Sequence, residues 1–90
     1  MKTTRVRRRG DVLWRRSLEA VLVLPAGRAE PIGLTGTGPA VWELLGSPMS
    51  LSELAEDLAL RYGAERATVE ADLLVLLDRL AAMGVIEPAP

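Results

Sequence analysis

The sequence predicts an α+β domain: a small three-stranded antiparallel sheet followed by three helices, in the general arrangement of a winged helix-turn-helix. Three observations carry that prediction. Short, β-branched apolar segments are concentrated in the stretch up to Leu34; apolar residues recur at helical spacing after it; and the helical half is punctuated by a capping box and by glycines where helices stop.

The elements follow in order. Val12, Leu13 and Trp14 open a first strand, and Leu18 to Leu24 is a near-continuous apolar run of the length and branching of a central strand. Pro25-Ala26-Gly27 ends it with turn chemistry. The third segment, Arg28 to Leu34, contains Pro31, which has no N–H to give a ladder and therefore belongs on an edge. A three-stranded meander with this segment outside is the simplest topology. Thr35 to Pro39 is a turn into a first helix, Ala40 to Leu45, with Thr37 or Gly38 as cap and Pro39 in the first turn. Gly46 and Pro48 stop it. Ser50-Leu51-Ser52-Glu53 is a capping box for a second helix, whose apolar face is Leu51, Leu54, Ala55 and Leu58 and whose end is Gly63. The third and longest helix runs from about Arg66 to Met83, with its core sector centred near Leu73 among Val69, Leu76, Leu77 and Leu80. Gly84 is placed to close it before a short strand at Val85-Ile86.

Composition narrows the chemistry. The 90-residue chain has no His and no Cys. Thiol catalysis, a Ser-His-Asp relay, an ordinary zinc site and a disulfide framework are therefore excluded. A chain this short forms one domain that spends its large apolar residues on a core, leaving little for a deep substrate pocket. No catalytic residue, metal site or cofactor is expected. The carboxylates at Glu53, Glu56 and Asp57, and at Glu70 and Asp72, diverge around their helices and read as solvated faces. Gly33, Gly36 and Gly38 lie in a strand-to-helix turn, but Gly-Pro stands where a phosphate loop needs Gly-Lys-Ser/Thr, so turn geometry accounts for them.

The net charge of −1 conceals an asymmetry: the first 16 residues sum to +6 and the remainder to −7. Residues 1–10 read as a basic flexible arm, residues 11–87 as the folded domain and 88–90 as a tail. No apolar run after the arm suits a signal peptide, and none elsewhere suits a membrane span, so a cytoplasmic location without membrane contact is expected. The runner-up function, a winged-helix DNA-binding regulator, would place the long helix in the major groove. That helix carries Arg66 and Arg79 against Glu65, Glu70, Asp72 and Asp78, a local sum of −2 that opposes phosphate contact. No nucleic-acid partner is expected.

Peptide capture fits better. The third strand is an edge that Glu30 and Pro31 guard only weakly, and Ala29, Ile32, Gly33 and Leu34 are small or apolar residues that a partner strand can join by β-augmentation. With Pro31 facing outward, Ala29 and Gly33 supply the outward N–H groups. Together with Arg28, these residues form the strand side of a candidate binding site. The helix side is Leu76 and the exposed Val75, flanked by Asp72 and Arg79, a pattern suited to an apolar anchor with neighbouring charges.

Asp11-Val12-Leu13-Trp14-Arg15-Arg16, the core Leu34, Thr37, Gly38, Trp42 and Leu45, Ser50 to Gly63, and Ala71 through Leu80 to Ile86 resemble the PqqD-like family over nearly the whole chain after the arm. Many members have Asn where this chain has Thr35. The resemblance implies a recognition element for ribosomally synthesised, modified peptides, which binds a leader peptide as an added antiparallel strand on the third strand against the third helix. It further implies the freestanding recognition half of a split lasso-peptide B protein. Such a protein delivers a leader with a Tyr-x-x-Pro motif to a separate transglutaminase-like leader peptidase, with a cyclase as a further partner. A PqqD-type chaperone for a radical enzyme is the alternative within the same resemblance.

Overall fold

A computed structural model describes residues 4–90. The strands are β1 (Arg5–Arg8), β2 (Leu13–Ser17), β3 (Ala20–Leu24), β4 (Ile32–Leu34), β5 (Met49–Ser50) and β6 (Ile86–Pro88); the helices are α1 (Gly38–Leu44), α2 (Leu51–Tyr62) and α3 (Arg66–Ala82). They form two three-stranded antiparallel sheets, in the orders β2-β3-β4 and β5-β1-β6. The first is the meander expected from the sequence, with the third segment on its edge. That strand is shorter than expected. Arg28–Pro31 are a bend leading into it, because the Arg28 N–H is held at 3.1 Å by the Pro25 carbonyl in a turn through Gly27.

The second sheet corrects the reading of the termini. Residues 1–3 of the expected basic arm lie outside the described residues, but Arg5–Arg8 form the central strand of this sheet. Val6 pairs with Met49 on one side and Pro88 on the other. Side-chain ion pairs reinforce the pairing, Arg5 with Glu53 and Arg7 with Glu87 at 2.9 Å. The expected tail is drawn in as well. Pro88 belongs to β6, and the Ala89 N–H donates to the Arg5 carbonyl at 2.8 Å.

The core forms where the meander meets the helices. Val21 and Val23 of β3 point inward together with Trp42, Leu45, Leu54, Leu80 and Val85, all essentially inaccessible. Trp42 is the anchor of α1, and its ring meets Trp14 of β2 edge-on with centroids 6.1 Å apart. The Arg8 guanidinium lies over both indoles, 4.9 Å from the Trp14 centroid and 5.4 Å from that of Trp42. The turn after α1 leaves room for it only because residue 46 is glycine. A β-carbon there would sit 2.5 Å from the guanidinium and 3.2 Å from the Glu43 carbonyl oxygen.

Helix boundaries follow local chemistry. Thr37 stands at the α1 N-cap with Pro39 in the first turn, although its hydroxyl accepts no capping bond. In α2 the capping box is complete: the Glu53 N–H donates to Ser50 Oγ at 3.1 Å, and the Ser50 N–H donates to Glu53 Oε1 at 3.0 Å. Gly63 closes that helix in the left-handed conformation that only glycine adopts without penalty. On α3, Leu73 and Leu80 are buried and Val69, Leu76 and Leu77 half-buried, so the core sector lies where the periodicity put it.

Because β1 is paired on both sides, deleting residues 1–10 is expected to cost about 3 kcal/mol or more in urea denaturation, whereas removal of an unstructured arm stays within about 0.5 kcal/mol. Arg8→Ala, which keeps the strand, is expected to cost about 1–2 kcal/mol through the lost contacts to both indoles.

The Glu53 carboxyl is held below the usual range by the Ser50 backbone N–H and then by Arg5. Its contribution is complete above the ordinary carboxylate pKa of about 4.3 and disappears as pH falls through the lowered value. Glu53→Gln should therefore lower the urea midpoint at pH 7 and shrink the loss of midpoint seen on going to pH 3.

Candidate functional site

The direction of backbone groups along β4 follows from the hairpin before it. Leu18 and Glu19 form a two-residue turn, so Ser17 and Ala20 are a hydrogen-bonded pair. Alternation then sends the N–H and C=O of Ala20, Leu22 and Leu24 toward β2 and those of Val21 and Val23 toward β4. Val21 pairs with Leu34 and Val23 with Ile32, so these pairs carry the ladder bonds, while Gly33, opposite Leu22, points both backbone groups away from the sheet. Among the described residues no strand pairs with the outer edge of β4, whose ladder positions present one outward N–H and one outward C=O, both from Gly33. Gly33 is an outward donor as the sequence reading required. Ala29 lies in the bend, outside the ladder.

Side chains complete the setting. Leu34 is buried and Ile32 half-buried, so the strand itself is anchored in the core. Arg28, Ala29, Glu30 and Pro31 are exposed ahead of it, and neither Arg28 nor Glu30 has an ion-pair partner among the described residues. Beyond the C-terminal end of β4, a small cavity of about 60 Å³ is lined by Thr37, Leu58, Val69, Asp72, Leu73 and Leu76. This brings Asp72 and Leu76 of the helix side together with the turn that follows β4. Val75, 64% exposed, and Arg79 lie on the adjoining solvent face of α3 and do not line the cavity. Asp72 and Arg79 have no ion-pair partner among the described residues, so both charges are available at the surface.

Thr37, Leu58, Val69 and Leu73 were missed as lining residues. Leu58, Val69 and Leu73 belong to the apolar faces of α2 and α3, as the periodicity predicts; their second role follows from the close approach of the β4–α1 turn to α3. Periodicity along one helix carries no signal for such an approach. Among the described residues no group of three or more His, Cys, Asp or Glu side chains converges as metal ligands would, and no helix is long and apolar enough to cross a membrane. The arrangement is an open strand edge with an adjacent small apolar cavity bearing one carboxylate on its wall.

Comparison with known proteins gives this geometry a context. No curated protein matches the chain. The fold is similar to the solution NMR structure of the PqqD truncation of Methylobacterium extorquens PqqCD. The TM-score is 0.80 at 26% sequence identity, covering 97% of this chain and 93% of that one. That protein is described as a functional, stand-alone recognition element for ribosomally synthesized and post-translationally modified peptides. The family model for coenzyme PQQ synthesis protein D (PqqD) matches residues 19–86, from the β2–β3 turn to the first residue of β6, and the chain accordingly belongs to the PqqD family.

Proposed function

We propose that this chain is a non-catalytic recognition element that binds the leader segment of a ribosomally made precursor peptide. The leader adds as an antiparallel strand to β4, against α3, and the domain presents it to a separate enzyme. The observation that carries the reading is the outward-facing N–H and C=O of Gly33 on the unpaired edge of β4, beside the cavity that holds Asp72 and Leu76. Backbone pairing supplies orientation for any sequence, and the cavity and the exposed Val75, Asp72 and Arg79 supply selection among sequences. Family membership and the likeness to the Methylobacterium recognition element support the same role.

The precursor class follows from the sequence resemblance: a lasso-peptide leader carrying a Tyr-x-x-Pro motif, passed in the cytoplasm to a transglutaminase-like leader peptidase and then to a cyclase. Membership of the PqqD family favours a second assignment, a chaperone that presents its peptide to a radical enzyme. Binding of fluorescein-labelled leaders of both classes, measured by polarisation, separates the two. Saturable binding of neither, with tight salt-sensitive binding of duplex DNA, would overturn the peptide reading.

Gly33→Pro removes the outward N–H and leaves the ladder bonds of Ile32 and Leu34 in place. It is expected to weaken leader binding by about two- to tenfold, the worth of one hydrogen bond of about 0.5–1.5 kcal/mol, with an unchanged urea midpoint. A fall in midpoint instead would mean that the N–H points into the sheet. Leu76→Glu sets a carboxylate beside Asp72 and should weaken binding more than tenfold while preserving the helical circular dichroism. Normal binding by that variant would move the leader away from α3.

A further inference from the structure

The flank of α3 turned away from the small cavity is also open. Leu74 and Leu77 of α3, Val6 of β1 and Ile86 of β6 form the walls of a cleft of about 430 Å³ between the helix and the β5-β1-β6 sheet. This volume falls in the range of clefts that bury a ligand or the anchor side chains of a partner. The apolar surface does not end at the cleft. It runs onto the solvent face of α3, where Ala71, Leu74 and Ala82 are all exposed. Leu74 is 40% accessible, in a chain whose small core leaves few large apolar residues to spare.

The charges on the cleft wall are of one sign. Asp78 and Glu87 are its charged lining residues. Glu87 is engaged by Arg7 at 2.9 Å, but Asp78 is exposed and has no cationic partner among the described residues. A second copy of this chain is a poor occupant. Two-fold pairing across the cleft would set Asp78 and Glu87 of one molecule against the same acids of the other, and Arg7, the cation that engages Glu87, is already in use.

We propose that this cleft docks a partner protein through a large apolar side chain with a Lys or Arg beside it, the cation pairing with Asp78. The proposal rests on the adaptor reading for its purpose: leader and partner then occupy opposite flanks of one helix and can be held at the same time. Asp78 makes the contact selective, since an apolar anchor without a cation leaves a carboxylate partly desolvated and unpaired.

The test pans a phage-displayed random peptide library on the whole protein, with counter-selection on Leu74→Glu. Enriched peptides should share a large apolar residue next to Lys or Arg. A labelled representative should bind the unmodified protein and lose about tenfold or more in affinity against Asp78→Lys, with partial recovery when its own cation is changed to Glu. Leader binding should be unaffected by Asp78→Lys. Failure to enrich any peptide over the counter-selected pool overturns the proposal, as does enrichment of peptides indifferent to Asp78→Lys or displaced by leader. Dimerisation of the unmodified protein that Leu74→Glu abolishes, seen by sedimentation, would assign the cleft to a second copy. Because the readout uses library peptides, it stands whether or not leader binding at β4 is observed.

Discussion

The guanidinium of Arg8 lies across the faces of two indoles, and the two sheets meet through it. Trp14 belongs to β2 in the meander, Trp42 to α1, and Arg8 to β1 in the second sheet. A cation over an aromatic face contributes on the order of 0.5–2 kcal/mol, rising as water is excluded. Its structural effect exceeds that figure, because it fixes where β1 sits relative to the helix that buries the largest core side chain. From there the order of dependence is plain. β1 locates β5, and β5 leads without a break into the cap of α2; β1 also locates β6, and β6 continues the chain from α3. Both long helices are thus held at one end by the strand that Arg8 positions. The α3 surface that lines the small cavity with Thr37 inherits its placement from them.

Much of the fold was legible because it is locally encoded. The Ser50–Glu53 box, the left-handed Gly63 and Gly84, and Pro39 in the first turn of α1 each follow from chemistry within a few residues, and each stands where the sequence put it. The β1 strand was not legible for the complementary reason. Arg5-Val6-Arg7-Arg8 has one apolar residue among three cations, so no apolar face alternates with a polar one, and the segment reads as a solvated arm. What makes it a strand is distant in sequence: Glu53 and Glu87 neutralise two of its charges and two indoles take up the third. The C-terminal prolines misled in the same way, since Pro88 lies at the end of an edge strand, where a missing N–H costs little.

The site shows the same division. Gly33 as an outward donor was accessible from strand alternation once Pro31 is set facing outward; the two-residue turn at Leu18 and Glu19 that fixes this phase was not, because Leu18 reads as the start of the apolar run. The extent of β4 was not, since the turn that holds the Arg28 N–H ends the ladder at Ile32, and Ala29 cannot take part. The apolar α3 residues that fall outside its core sector gave the weakest signal. Single exposed aliphatic residues are ordinary on protein surfaces. Leu74 acquires meaning only when β1 and β6 stand opposite it, and β1 was the element the sequence hid.

The hydrogen bond from Ala89 to the Arg5 carbonyl brings the two ends of the described chain side by side. Adjacent ends make a fold portable. Such a module can be spliced into a surface loop of a larger protein, or permuted so that the chain opens elsewhere, with little strain on its interior. A host joined at that corner would stand next to β1 and β6, the walls of the cleft beside Leu74, and linkage in one polypeptide would replace a diffusive encounter by a high effective concentration at that surface.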